Sequence, residues 1–429
     1  MKRAFIKSFF LLLLPALFTG CQDKFFEEYK INIPVYLSYE DLRNPVKQTA
    51  NQELKDPGKI YFKDNYLFIN ENLKGIHIID NSDPASPENI AFVEIPGNVD
   101  IAVKGNILYA NSWVDLVVLD ISDLNNIQEV NRINDIFPYA LPSTGNDYRI
   151  SDIEEDKGVV IDWEVKEVRK KIEPYYPYPG PYPFLEKWLW RNEAFLSASG
   201  SGGSDGASFG VGGSMARFIL YDNYLYALDD IKLKLIDIST PEEPVFNSDI
   251  YIGWEMETVF IYDDHLFMGA KNGMYIYDLA NPASPEQISY FRHFTSCDPV
   301  VVDGDYAYVT LNSANALCGR AVNELQIISI VDLSNPSLLR TLPMNSPKGL
   351  GIDNETLFIC DGDAGLKVYN VSDPYSLGAS FITSFEDINT FDVIPVNDIL
   401  FMIGSDGLFQ YDYSDIENIR FLSKIPVTL

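Results

Sequence analysis

The sequence predicts an all-β fold, a seven-bladed β-propeller of four-stranded antiparallel blades. Three observations carry that expectation. A tight turn followed by alternating apolar residues and an aromatic recurs seven times after residue 59. An apolar strand ending in Asp or Asn follows each aromatic, in six of the seven copies at a distance constant to within one residue. No stretch has the 3.6-residue apolar spacing of a packed helix pair, and four short strands in a unit of about 40 residues are the signature of a propeller blade.

Residues 1–21 precede the fold. Lys2, Arg3 and Lys7 form a basic start, 9–18 is an apolar run broken only by Pro15, and Gly20-Cys21 ends the segment. That is the pattern of a secretory signal peptide, too short for a stop-transfer helix. Its end resembles a bacterial lipobox, although Phe18 stands where a smaller aliphatic is commoner. The resemblance implies that Cys21 is lipidated and that acyl chains anchor the protein without spanning the bilayer. Residues 22–28 are similar to the acidic signals that send Bacteroidota-type lipoproteins to the cell surface. They imply an outer-membrane protein, lipid-anchored and surface-exposed. Without its three basic residues the chain's charge falls from −30 to −33. Such a surface repels phosphate backbones and anionic headgroups, which argues against a nucleic-acid partner.

Residues 22–58 read as a tether and lead-in, with one strand-like run at 31–37; the propeller is expected over 59–429, with a large insertion at about 134–214. The turn aromatics are Phe68, Tyr109, Tyr226, Phe267, Tyr308, Phe358 and Phe401. The Asp, Asn and Gly before them tolerate the positive φ of a short hairpin turn. The strand-end acids and amide are Asp80, Asp120, Asp237, Asp278, Asp332, Asn370 and Asp412, at spacings of 12, 11, 11, 11, 24, 12 and 11 from their aromatics. Most continue into a Ser-x-Pro turn. A carboxylate at a strand end caps such a turn through the backbone, so this series is read as structural.

Residues 76–80, 116–122 and 233–239, for example Leu-Val-Val-Leu-Asp-Ile-Ser, resemble the LVIVD repeats of bacterial surface proteins. The resemblance covers most of the chain. It implies a seven-bladed propeller lipoprotein with no enzymatic activity, because the motif is a fold motif. Asn370 stands where the family has Asp, and Leu124 and Ile416 replace the turn Pro.

Function is sought where the repeat breaks. About 76 residues are inserted between the second and third repeats, and about 13 at 312–324 in the fifth. In a four-stranded meander the link between blades and the loop between the second and third strands share one end. Both insertions therefore leave the same face, and loops held by a rigid scaffold usually carry function. In the large insertion, 147–172 alternates enough to form an extra hairpin prolonging blade 2 or 3. Residues 174–183 are Pro- and Tyr-rich and should be extended. Tyr175, Tyr176, Tyr178, Tyr182, Trp188 and Trp190 suit stacking on sugars, packing on a protein partner, or covering the rim. Asn312 and Asn315 of the smaller insertion join them as candidate binding residues. Cys297 and Cys318 fall at the same end of blade 5 and are a candidate disulfide, whereas Cys360 lies within a strand and reads as a buried thiol.

Catalytic and metal signatures are weak. Residues 202–206 match G-x-S-x-G but sit in Gly/Ser-rich sequence, not between a strand and a helix. His77, His265 and His293 lack metal-ligand spacing, and no cofactor motif is present. The expected function is thus a non-enzymatic binding or scaffolding propeller for a glycan or an outer-membrane protein. The alternative is a propeller hydrolase or lyase using acidic residues at the central channel.

Overall fold

A computed structural model describes residues 25–138, 140–172, 211–229, 231–253, 256–293, 299–312 and 322–428. It divides into two compact units, one of 1–36 with 142–192 and one of 37–141 with 193–429.

The larger unit is a β-propeller. Among the described residues, consecutive strands form antiparallel meanders at 57–94, 101–133, 218–251, 256–292, 300–343, 350–385 and 390–426. The first strand of each meander adjoins the first strands of its neighbours in chain order. The last of them, Thr390–Val396, adjoins the first, Pro57–Lys63, and closes the ring. These first strands are therefore innermost.

Local chemistry explains the elements. Hairpin turns between first and second strands use positive φ at Asp64, Asp222, Asp263, Asn354 and Asn397, with Gly105 and Gly304 in the other two. Second and third strands, such as Tyr66–Glu71 and Asp115–Asp120, are buried along nearly their whole length. Both of their faces are covered by neighbouring sheets, so they read as unbroken apolar runs instead of alternating ones. The turn aromatics sit on the second strands and are almost completely buried. The fourth strands carry one extra residue at the same place in every meander: Ile90, Val130, Asn247, Ile288, Leu339, Ile382 and Leu422. A bulge there increases the twist of the outer edge.

The ring is sealed by contacts between the last and first meanders. Gln410 Nε2 donates to Asn81 Oδ1 at 2.6 Å, buried, and Ser423 Oγ donates to the Pro84 carbonyl at 2.6 Å. Phe62 stacks on Phe401 with centroids 5.0 Å apart. The lead-in takes part: Lys47–Thr49 adds a strand outside Glu88–Glu94, and Leu54 bridges to Val427. Arg43 reaches Asp115 at 3.0 Å, tying the lead-in to the second meander.

In the smaller unit, Phe25–Leu37 lies between Arg149–Ile150 and Val159–Ile172 in a three-stranded sheet. Asn32 is buried at its centre, donating to Asn146 Oδ1 at 2.9 Å and to the Tyr148 carbonyl at 3.0 Å. The Trp163 indole donates to the Pro142 carbonyl at 2.9 Å. The expected extension of blade 2 or 3 by 147–172 is therefore not formed. The strand within it pairs with the chain's own N-terminal strand, over 100 residues earlier. Alternation marks a strand, but it does not identify the partner.

Candidate functional site

Six of the seven expected acids and amides end a third strand and accept the backbone N–H two residues on; Asp332 does the same from inside the turn, three residues beyond Ser329, where its strand ends. Asp80 Oδ1 takes it from Ser82 at 2.9 Å, Asp120 from Ser122 at 2.8 Å, and Asp237 from Ser239 at 2.8 Å. Asp278 takes it from Ala280 at 2.7 Å, Asp332 from Ser334 at 3.0 Å, Asn370 from Ser372 at 3.0 Å, and Asp412 from Ser414 at 2.9 Å. The serine hydrogen bonds hold the Asp80, Asp332 and Asp412 carboxyls below the usual range. These residues are turn caps repeated around the ring and are not brought together.

The non-repeating chemistry lies at the axis. Nine positions ahead of its turn aromatic, each repeat places a residue within two positions of the start of its innermost strand. In order these are Lys59, Asp100, Arg217, Thr258, Pro299, Gly349 and Asp392. Around the closed ring the charged four are consecutive, in the order Asp392, Lys59, Asp100, Arg217, and alternate in sign. The remaining three are uncharged. Lys59 Nζ pairs with Asp100 Oδ2 at 2.7 Å, both buried. The same oxygen accepts the backbone N–H groups of Arg217 at 2.6 Å and Phe218 at 3.2 Å, while Oδ1 accepts Ile101 N–H at 2.8 Å. Burial pushes the Lys59 ammonium below its ordinary range, against the pull of Asp100.

Residues 211–217, where the large insertion returns to the ring, lie across this end of the inner strands. Val211 and Gly212 pair antiparallel with Phe62 and Tyr61. A Cβ on Gly213 would lie 2.1 Å from Asp392 Oδ2, so only glycine lets the backbone pass. Ser214 Oγ accepts Leu350 N–H at 2.7 Å, and the Ala216 carbonyl accepts Val259 N–H at 2.9 Å. One short segment thus touches the innermost strands of the first, seventh, sixth and fourth meanders before joining the third. Asp392 is buried beneath it. Its Oδ1 accepts Val393 N–H at 3.0 Å, while Oδ2 has no hydrogen-bond partner. Burial pushes this carboxyl up to about 8.

These four charged residues were not singled out from the sequence. The nine-residue offset from each turn aromatic was available to find them, but the offset acquires meaning only once the inner strand is known. The positions that were singled out fare differently. Asn312 is half-buried, with Nδ2 3.4 Å from Ser346 Oγ, at the end of the meander where the links between sheets also lie. Cys360 is a buried free thiol, pushed well above its ordinary value by burial. Cys21, Tyr175, Tyr176, Tyr178, Tyr182, Trp188, Trp190, Asn315, Cys297 and Cys318 lie outside the described residues.

Comparisons with known proteins agree with the repeat. The family model described as the LVIVD repeat matches residues 57–93, 97–135, 212–250 and 256–291, so the chain carries LVIVD repeats in its first four meanders. Among solved structures it is similar to a protein from Lactobacillus plantarum, at 10% identity over 87% of this chain and 97% of that one, with a TM-score of 0.53. It is also similar to PorZ, a surface component of the type-IX secretion system of Porphyromonas gingivalis, at 13% identity and a TM-score of 0.48. That match covers 89% of this chain but only 40% of PorZ. BamB from Moraxella catarrhalis matches at 8% identity over 85% of this chain and 96% of its own, with a TM-score of 0.48. At 10% identity the likeness to the Lactobacillus plantarum protein is one of fold. No curated protein matches the sequence.

Proposed function

We propose that this LVIVD-repeat chain is a seven-bladed, non-enzymatic binding or scaffolding module, lipid-anchored through Cys21 to the outer membrane and exposed at the cell surface. Its ligand is a glycan or an outer-membrane protein, taken up by the two segments that interrupt the repeat. One observation carries this reading. Both interruptions, 134–217 and 312–323, leave the ring at the end where inner strands begin, whereas the opposite end is built of uniform turns capped by their own acids. A ligand without the ring's symmetry needs contacts that differ from blade to blade, and loops on a rigid scaffold supply them.

The alternative of a hydrolase or lyase at the channel has less support. Asp100 already accepts four N–H donors from its own chain, and Asp392, the other axial acid, is buried beneath residues 211–217. A general base needs a lone pair aimed at substrate; those of Asp100 are filled, and that segment covers Asp392.

The test is binding of the mature protein to a polysaccharide array and to detergent-solubilised outer-membrane proteins. Replacing 174–208 by a Gly/Ser linker spares the axial segment. Loss of binding in that variant is the expected result, and undiminished binding would show that the insertion is not the site. For anchoring, Cys21→Ala should move the protein from the membrane to the soluble fraction; membrane retention would count against lipidation.

A further inference from the structure

Asp392 combines two features that the binding reading leaves unexplained. Its Oδ2 is buried without a partner, and the segment that buries it is the returning end of the large insertion. An ionised carboxylate so placed would leave a charged oxygen buried without a hydrogen bond, whereas a protonated one is neutral. We propose that residues 211–217 are a proton-controlled strap: with Asp392 protonated they lie closed across the axis, and ionisation of Asp392 opens them and frees the end of the insertion.

The surroundings set the balance. The Val393 backbone N–H, Lys59 on the first meander and the Ser214 backbone N–H of the strap itself favour the ionised form of Asp392, and Asp100 on the second meander opposes it. On the side of the sixth meander stands Cys360, whose thiol Asp392 itself pushes up, with Lys348 and Asp361 acting on that thiol in opposite directions. Arg217 at the strap's end acts on Lys59. Lys59 is already engaged by Asp100 at 2.7 Å, so its charge is shared between two carboxyls. Burial therefore dominates, and the carboxyl is held at about 8 when the strap is closed. With the strap open and the group in water, it returns to the ordinary carboxylate range near 4.

The sign follows by linkage. Closing takes up a proton wherever the pH lies between those two values, so closure is strongest in acid. It weakens by about tenfold per pH unit as the pH rises towards 8, then levels once both states are ionised. This does not depend on what the insertion binds.

Hydrogen exchange tests it directly. The Leu350 and Val259 amides donate to Ser214 Oγ and to the Ala216 carbonyl and so report the strap, while Ile330 N–H, bonded to the Asp305 carbonyl, reports the ring. With intrinsic rates corrected, protection of Leu350 and Val259 should fall about tenfold per pH unit between about pH 5 and 8 and then level, with Ile330 unchanged. Asp392→Asn, which keeps the neutral shape, should abolish that slope and keep the protection. Gly213→Ala, which forces the backbone off Asp392, should lose it at every pH. A pH-independent wild type, an equal slope in Asp392→Asn, or an equal slope at Ile330 would each overturn the proposal.

Discussion

Asp392 is one of a few side chains whose removal should act in a direction its neighbours do not share. A carboxyl with a raised folded-state value contributes most below its unfolded value and loses that contribution as pH rises towards about 8. Asp80, Asp237, Asp332 and Asp412 run the other way, since their lowered values contribute above the ordinary carboxylate range and are lost as the solution is acidified. Denaturant titrations of wild type and Asp392→Asn should therefore diverge between pH 5 and 8 in favour of the variant, with the gap constant above that. Gly365 is the other position where one atom decides. It opens the third strand of the sixth meander at a φ of +77°, and a Cβ there would lie 1.7 Å from the Phe385 carbonyl oxygen. Neither the backbone conformation nor the clash can relax without breaking the sheet pairing. Gly365→Ala should cost about 3 kcal/mol or more in equilibrium unfolding.

The elements interlock by a second constant offset. Five positions ahead of the turn aromatic, the innermost strands of the second, third, fourth and sixth meanders present a polar side chain to the next sheet. Lys104 Nζ donates to Asn223 Oδ1 at 2.8 Å, and Tyr221 donates to Asp264. Tyr262 accepts Gly304 N–H at 2.9 Å, and Asp353 accepts from Tyr413 at 2.8 Å. At the same offset the Asp303 carboxyl is raised by burial and by Glu355 and Asp353, Lys63 pairs with Asp64 of its own hairpin, and Val396 is apolar. The turn aromatics add a similar tie, Tyr109 donating to the Pro241 carbonyl at 2.9 Å and Tyr226 to that of Pro282 at 2.8 Å. Tyr226→Phe should cost about 1 kcal/mol, the net worth of one such bond, whereas Tyr226→Ala should cost about 3–5 kcal/mol through the cavity. A ratio near one would mean that the hydroxyl, and not the ring, holds the sheets together. The sequence showed the aromatics, because they follow a readable turn. It did not show the fourth-strand bulges, because one extra residue in an exposed, mixed strand changes neither its composition nor its length enough to register.

At the scale of the whole molecule, the ring depends on joining its ends. Gln410 and Asn81 are buried across the seam, so Gln410→Met leaves an amide oxygen without its donor and should cost about 1–3 kcal/mol. If the ring unfolds as one unit, denaturation followed by tryptophan emission and by far-ultraviolet circular dichroism should shift together. Separate transitions would mean that the last meander detaches first. The sequence by itself determined the repeat, its four strands, the turn caps from Asp80 to Asp412, and the places where the period breaks. All of these are local patterns, fixed by residues within about ten positions of one another. Tertiary structure decided the rest: that the strand at 159–172 pairs with the N-terminal strand, that residues 211–217 cross the axis, and that Lys59, Asp100, Arg217 and Asp392 meet there. Each of those requires segments far apart in the chain to come together. Which distant strand or charge answers another is set by closure of the ring, and no local spacing encodes it.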